Sequence, residues 1–151
     1  MKKFLGILIL SLLICNFGFA DYLKVIDGDT IILNDEKIRF SGIDTPELKQ
    51  ICSKESQKIF CGILAKKLLI KKIGDEIPKC VREGNDIYDR VLAECFLNGE
   101  SLSSFLVRSG YAFAYRKYSK KFIKDEEFAK KNKLGIWSMK FQYPWEFRKE
   151  I

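Results

Sequence analysis

The side chains best suited to chemistry in this sequence are three acids and an arginine near its start. Asp29 follows a glycine turn, and Arg39, Asp44 and Glu47 lie within one stretch of nine residues. Carboxylates bind hard divalent cations and accept protons from water, and a guanidinium stabilises negative charge on a phosphate oxygen. This set contains the groups that phosphodiester hydrolysis requires.

Two further residues extend this set. Pro46 restrains Thr45 to an extended conformation, so the Thr45 carbonyl can be aimed at a cation as a third oxygen ligand beside the two aspartates. Arg90 follows a polar loop and supplies a second guanidinium. Each feature alone has an ordinary explanation, because an Asp-Gly pair more often shapes a turn than binds a metal and a lone arginine is usually solvated.

Length and composition narrow the classes of function. A chain of 151 residues favours a single domain. The sequence has no histidine, which excludes Ser-His-Asp and Cys-His catalysis as well as His-ligated zinc. Its 27 basic and 20 acidic side chains give a net charge of +7, which is a weak indication of an anionic partner.

Residues 1–20 have the pattern of a signal peptide. Two lysines precede an apolar run at residues 4–15, and the small residues Gly18 and Ala20 stand where a cleavage site requires them. We expect a mature domain over residues 21–151 that is secreted or periplasmic. Its net charge is +5, because the removed segment carries two lysines and no acid. An uncleaved membrane anchor is the alternative.

Four cysteines remain after such cleavage, namely Cys52, Cys61, Cys80 and Cys95. In an oxidising compartment two disulfides are the leading interpretation, and four buried free thiols are the alternative. Of the three connectivities we favour Cys52 with Cys61 and Cys80 with Cys95, because the second bond would link two segments that resemble adjacent antiparallel strands. The lack of a CxxC pair and of histidine argues against structural zinc.

The hydrophobic pattern predicts strands first and helices later. Residues 22–44 are rich in Val, Ile and Phe and contain turn sequences, which predicts three short strands in a meander. Helical spacing of apolar residues predicts an amphipathic helix over residues 54–72, capped by Ser53. The other predicted elements are a strand pair at 77–81 and 90–96 and two helices at 101–108 and 125–133. Such an order is typical of a small barrel of the OB kind.

The spacing of Arg39 and Asp44 predicts a break in the third strand. Side chains alternate along a strand, so two residues five apart face opposite sides of a regular ladder. For both to serve one site, the strand must bulge near Ser41 and Gly42 or end before Asp44.

Five motifs occur along the chain in a fixed order. They are Val25-Ile26-Asp27-Gly28-Asp29-Thr30, Arg39 followed by Ile43-Asp44-Thr45-Pro46-Glu47, Tyr88-Asp89-Arg90, Leu106-Val107-Arg108-Ser109-Gly110 and Leu134-Gly135-Ile136-Trp137. In this ordered set, from about Tyr22 to Trp137, the sequence resembles the staphylococcal nuclease (thermonuclease) family, and its cysteines resemble those of an exported branch.

This resemblance implies an α+β, mainly β fold, a five-stranded OB-fold β-barrel with three helices. It also implies a calcium-dependent nuclease that cleaves DNA and RNA and leaves 3′-phosphate ends. By position, Arg39, Glu47 and Arg90 match the family's catalytic residues, and its calcium site is matched by Asp29, Asp44 and Thr45. Three tyrosines fall near nucleotide-contacting positions, namely Tyr88, Tyr115 and Tyr118.

The sequence departs from the family pattern at three places. Asp89 stands where glycine is common, and we expect it to adopt the left-handed conformation that Asp tolerates. The stretch 48–53 is short, and Cys52 beside it would replace loop flexibility with a covalent tie. The tail, residues 141–148, is rich in aromatics and is expected to pack against the barrel.

Two other functions fit parts of the sequence. A catalytically inactive OB module would bind single-stranded nucleic acid through basic and aromatic residues such as those at 115–121. A lysine-rich helix face could meet an anionic membrane, although a solvated face explains those lysines better; they are Lys54, Lys58, Lys66 and Lys72. We expect a monomer without stable membrane association once the signal is removed.

Overall fold

A curved mixed sheet forms the frame of the domain. The computed structural model describes residues 21–151, so the predicted signal peptide lies outside the described residues. Five strands follow one another across the sheet in the order β1-β2-β3-β8-β7, and β9 pairs with β8. The strands are β1 (Leu23–Val25), β2 (Thr30–Leu33), β3 (Glu36–Phe40), β4 (Ile43–Asp44), β5 (Ile51–Lys54), β6 (Gln57–Phe60), β7 (Lys79–Asn85), β8 (Val91–Leu97), β9 (Glu100–Ser101) and β10 (Phe113–Ala114).

The predicted three-strand meander is confirmed as β1, β2 and β3. Asn34 and Asp35 both have positive φ, at 50° and 66°, and form the tight turn that such residues favour between antiparallel strands. The register places Thr30 opposite Arg39. β3 then pairs in parallel with β8, which places the loop before β8 beside the meander.

The predicted break between Arg39 and Asp44 is also confirmed. β3 ends at Phe40, and Gly42 takes a φ of +71°, which a residue with a Cβ adopts only at a cost. A Cβ at Gly42 would lie 2.9 Å from the Cβ of Ser119. The chain then enters β4, which pairs with β10, so that Asp44 lies on a different strand from Arg39 and can face it.

The helices lie around this sheet. Four α-helices and one 3₁₀ helix occur in residues 21–151, and their bounds are α1 (Cys61–Ile73), α2 (Leu102–Arg108), α3 (Ile123–Lys131), the 3₁₀ helix (Gly135–Ser138) and α4 (Pro144–Phe147). None of these helices is long and apolar enough to cross a membrane.

The predicted start of the first helix is wrong. Residues 51–60 form the β5–β6 hairpin, and α1 begins only at Cys61, after Phe60 and without a side-chain cap. The hairpin turns at Glu55 and Ser56, which both have positive φ, so Ser53 lies in a strand and caps no helix. A turn and a hairpin ladder therefore override the helical spacing of the apolar residues.

The later helices agree with prediction to within two residues. Ser101 caps α2 by accepting a hydrogen bond from the Ser104 amide at 3.2 Å. Gly110 follows this helix with a φ of +79°, and a Cβ there would lie 2.2 Å from the Leu134 carbonyl oxygen. α3 begins two residues before the predicted Asp125.

Two groups of buried side chains form the interior. The larger lies between the sheet and the helices and includes Ile31, Phe40, Leu69, Leu102 and Leu106. The smaller joins α1, β10 and the tail; its buried members are Cys52, Cys61, Phe113 and Ile136. Five rings pack together in this second group, and we call them the aromatic cluster: Phe113, Trp137, Phe141, Tyr143 and Trp145. The predicted packing of the aromatic tail against the barrel is thus confirmed.

Both predicted disulfides are present. Cys52 of β5 is bonded to Cys61 at the start of α1, and Cys80 of β7 is bonded to Cys95 of β8. Cys80 and Cys95 are direct partners in the antiparallel register. The first bond ties the hairpin that follows Glu47 to a core helix, as expected for a loop stiffened by a covalent link.

Candidate active site

A buried ionic group lies where β2, β3 and β4 meet. Asp29 is 2% exposed and Asp44 is fully buried. Arg39 lies between them and donates from Nη1 to Asp29 Oδ1 at 2.5 Å and from Nη2 to Asp44 Oδ1 at 2.8 Å. One guanidinium thus joins two carboxylates that are 15 positions apart in sequence.

Thr45 is held against Asp29. Its backbone amide donates to Asp29 Oδ2 at 2.9 Å, and its hydroxyl donates to the same oxygen at 3.0 Å. The turn before β2 approaches this residue closely, since a Cβ at Gly28 would lie 2.9 Å from Thr45 Oγ1. The structure therefore brings together all three residues of the predicted calcium site, with Arg39 among them.

Burial and charge set the proton affinities of this group. Burial raises the pKa of Asp44, and hydrogen bonds from Arg148 oppose that change. Burial lowers the pKa of Arg39, but the charges of Asp29 and Asp44 outweigh burial and raise it. Asp27 lies at the edge of the group, and burial, with the nearby charge of Asp29, raises its pKa to about 6. The arginines accordingly stay charged while one neighbouring acid titrates near neutrality.

Glu47 lies at the exposed edge of the group, with its side chain 40% exposed. Its backbone is fixed by Gln50, which is buried: the Glu47 amide donates to Gln50 Oε1 at 3.1 Å, and the Gln50 amide donates to the Glu47 carbonyl at 2.8 Å. The start of α1 packs against the same carbonyl, because a Cβ at Gly62 would lie 2.1 Å from it. The predicted general base thus has a rigid backbone and a side chain open to solvent.

Arg148 completes the group, and sequence reasoning missed it. Arg148 is the first residue after α4. Its Nη2 donates to Asp44 Oδ2 at 2.7 Å, and its Nη1 donates to Glu47 Oε1 at 2.8 Å and to Asp44 Oδ1 at 3.2 Å. The contacts span 101 and 104 residues of sequence. No local pattern signals such a contact, since this arginine stands in a tail whose aromatic residues suggest packing alone.

Arg90 does not contact the acids of this group within residues 21–151. Its Nε and Nη2 bind Asp86 Oδ2 at 2.7 and 2.6 Å. The loop turns at Asp89, which has the expected left-handed φ of +58°. Arg90 directly precedes β8, the strand that pairs in parallel with β3 and places Leu92 opposite Arg39.

The three tyrosines lie at two places, and Tyr88 and Tyr118 are exposed whereas Tyr115 is half-buried. Tyr88 is 73% exposed and its ring lies 5.5 Å from the Arg90 guanidinium. Tyr115 stacks on Trp145 with ring centroids 5.6 Å apart, and it meets the exposed Tyr118 edge-on at 4.8 Å. An open cavity of about 560 Å³ lies beside this stack; it is lined by Tyr115, Arg116, Lys117, Lys130 and Lys149 among others.

The donor set suits a hard divalent cation. Two buried carboxylates and a backbone carbonyl are the oxygen ligands that Ca²⁺ takes. Asp44 Oδ2 accepts one hydrogen bond among those described for residues 21–151, from Arg148, so it keeps the capacity for a further ligand. No group of three His, Cys, Asp or Glu side chains in the same residues is arranged as a preformed metal cluster. A cation here would therefore rely on two carboxylates and backbone or solvent oxygens.

Comparison with known proteins gives consistent matches. A family model described as staphylococcal nuclease homologue matches residues 37–139, which include Arg39, Asp44, Glu47 and Arg90 but not Asp29. The SPbeta prophage-derived endonuclease YokF of Bacillus subtilis is 35% identical over 127 residues, covering 76% of this chain and 42% of that protein.

Two further relatives are similar at lower identity. An uncharacterized endonuclease of Haemophilus influenzae is 27% identical over 122 residues, covering 76% of this chain and 64% of that protein. Staphylococcal-like nuclease CAN1 of Arabidopsis thaliana is 29% identical over 125 residues, covering 81% of this chain and 36% of that protein. The chain therefore spans between about a third and just under two thirds of the length of these relatives.

Proposed function

The chain belongs to the staphylococcal nuclease family, because the family model covers residues 37–139, and we propose that it is an exported, calcium-dependent endonuclease that cleaves DNA and RNA. The observation that carries this proposal is the buried group of Asp29, Arg39 and Asp44 with Glu47 at its open edge. A module that only binds nucleic acid has no need to bury two carboxylates around an arginine, because such burial is costly.

Glu47 is the proposed general base. Its side chain reaches solvent while its backbone is fixed, so it can take a proton from a water molecule without leaving the site. That water attacks phosphorus, the bond to the 5′ oxygen breaks, and the leaving oxygen takes a proton from solvent. The product strand then keeps a 3′-phosphate.

Arg39 and Arg90 are the proposed electrostatic stabilisers. Charge builds on the phosphate oxygens as water attacks, and guanidinium donors that are already in place stabilise it. Arg39 is fixed by its two aspartates, and Arg90 is fixed by Asp86, which leaves its Nη1 to bind a phosphate oxygen. When calcium is held by Asp29, Asp44 and the Thr45 carbonyl, it supplies further positive charge beside the phosphate.

The proposed substrate surface follows from the exposed rings and cations. The exposed Tyr88 and Tyr118, with the half-buried Tyr115 beside Tyr118, can contact bases of either DNA or RNA, because every base has a π-face. The cavity beside Tyr115 is lined by three lysines and Arg116 against two glutamates, and this excess of positive charge attracts phosphates. These features support a nuclease whose substrates contain either deoxyribose or ribose.

The test is cleavage of end-labelled DNA and RNA by residues 21–151, with calcium, magnesium or EDTA. The proposal expects cleavage with calcium, none with EDTA, and products that accept a new 3′ extension only after phosphatase treatment. Binding without cleavage under every condition would instead support the inactive binding module, and cleavage that EDTA leaves unchanged would contradict the proposed cation.

A further inference from the structure

The C-terminal segment, residues 140–151, lies beyond the part of the chain that the family model matches. It nevertheless delivers a guanidinium to two residues of the proposed active site. The two Nη atoms of Arg148 face Asp44 as a fork, and Nη1 also binds Glu47. The site of this protein is thus built from the matched domain together with a segment outside it.

Three contacts of the C-terminal segment determine the position of Arg148. The backbones of Lys140 and Ser53 exchange two hydrogen bonds, at 2.8 and 2.9 Å. The buried Gln50 donates from Nε2 to the Gln142 carbonyl at 2.6 Å. Trp145 lies within the aromatic cluster. Because Gln50 also binds the Glu47 amide, the segment and the proposed base share an anchor.

Arg148 offsets the repulsion between the carboxylates of Glu47 and Asp44. Asp44 Oδ1 and Glu47 Oε1 lie no more than about 6 Å apart, since both contact the same nitrogen, at 3.2 and 2.8 Å. Two carboxylates this close repel each other. The other described contacts of Glu47 are made by its backbone, so Arg148 alone among residues 21–151 holds its carboxylate near Asp44.

We propose that Arg148 is a positioning residue of the active site, which holds the Glu47 carboxylate beside Asp44 in the geometry that activates water. This inference rests on the proposed nuclease function. Among the contacts described for residues 21–151, Arg148 binds the Glu47 carboxylate and Arg39 and Arg90 do not, which distinguishes its task from the phosphate contacts proposed for those two arginines. Without it, the 40%-exposed Glu47 side chain turns toward solvent, away from its like-charged neighbour.

The test is steady-state cleavage of a DNA oligonucleotide by Arg148→Gln, Arg148→Lys and Arg148→Ala in calcium. Misplacing a catalytic group by about 1 Å can cost about 100-fold, so we expect kcat of Arg148→Gln to fall about 10- to 100-fold while KM changes less than about threefold. Arg148→Lys keeps a positive charge and should retain an intermediate kcat. Added guanidinium chloride should raise kcat of Arg148→Ala above its value in sodium chloride of equal ionic strength.

The matched control is Arg108→Gln, which removes a guanidinium from an ion pair outside the proposed site, here with Asp125 at 3.5 Å on the surface. It should leave kcat unchanged and show no rescue by guanidinium. A wild-type kcat in Arg148→Gln, or a loss of activity in Arg148→Ala that guanidinium does not relieve, would overturn the positioning role. If the wild-type protein itself cleaves nothing, the proposed function fails and this role fails with it.

Calcium titration by calorimetry gives a readout that does not depend on cleavage. Arg148→Gln removes a positive charge that lies beside Asp44, so it should bind calcium at least about threefold more tightly than wild type. Weaker binding in this variant would mean that Arg148 maintains the shape of the site rather than the position of Glu47, and would reject the proposal. Arg108→Gln should match the wild-type affinity.

Discussion

At the scale of single residues, each buried acid of the proposed site is matched by an arginine. A buried carboxylate without a partner is strongly destabilising, whereas a paired one can be tolerated. Arg39 forms ion pairs with both Asp29 and Asp44, and Asp44 forms a second ion pair with Arg148. The pairing offsets part of the cost of burying these acids, whose oxygens lie where a cation could bind.

The raised pKa of Asp27 gives a prediction about stability. Its pKa is about 6 in the folded protein, against an ordinary value of 3.8. At a pH between these two values, the folded protein therefore holds a proton on Asp27 that the unfolded chain has lost. The contribution of Asp27 to the free energy of unfolding should therefore decrease as pH rises from about 4 to about 7, by about 2 to 3 kcal/mol. Asp27→Asn removes this dependence and keeps an oxygen to accept from the Asp29 amide.

Urea unfolding at pH 4, 5.5 and 7.5 in EDTA measures the effect. The control is Asp35→Asn at an exposed turn, which should keep the slope of the wild-type protein. Equal slopes in Asp27→Asn and wild type would contradict the assignment to Asp27.

Arg90 gives a second prediction at this scale. It contacts Asp86 directly before β8, the strand that pairs with β3, and the proposed chemistry requires its Nη1, which makes no described contact within residues 21–151, at a phosphate. Arg90→Gln should lower kcat by about 100-fold or more, in the range of lost oxyanion donors. The control is Arg82→Gln in the same hairpin, where the arginine pairs with Glu36 on the surface. Similar kcat values in the two variants would remove Arg90 from the mechanism.

At the scale of elements, the strands and their breaks position the site. Arg39 and Asp44 converge because β3 ends at Phe40 and Gly42 turns the chain into β4. This was predictable, since alternation along a strand forbids two residues five apart from meeting on a straight ladder. The start of α1 was not predictable, because apolar spacing does not reveal a left-handed turn at Glu55 and Ser56.

The disulfide between Cys52 and Cys61 gives a prediction for the β5–β6 hairpin. It closes a short loop, with a sequence separation of 9, next to the segment that carries Glu47. Replacing both cysteines by alanine should lower the free energy of unfolding by about 2 to 3 kcal/mol, because the unfolded chain gains freedom. Urea unfolding measures this, and intact mass before and after reduction verifies the bonds. An unchanged unfolding midpoint in the double variant would show that the bond constrains nothing.

At the scale of the whole molecule, the proposed active site joins the first and last parts of the described chain. Asp29 and Arg148 both lie within hydrogen-bonding distance of residues in one group, although 119 positions separate them. The acids, the first arginine and both disulfides could be predicted from residue types, spacing and family resemblance. Arg148 could not, because its contacts depend on how the aromatic cluster docks the tail onto the barrel.

The most direct test of the central claim is the single-turnover rate of DNA cleavage in calcium by wild type and Glu47→Gln. Glutamine keeps the size of the side chain and an oxygen for Arg148, but it takes no proton from water. Loss of the general base should lower the rate by about 100- to 10,000-fold, with circular dichroism and melting temperature unchanged. A folded Glu47→Gln protein that cleaves at the wild-type rate would contradict the proposed active site.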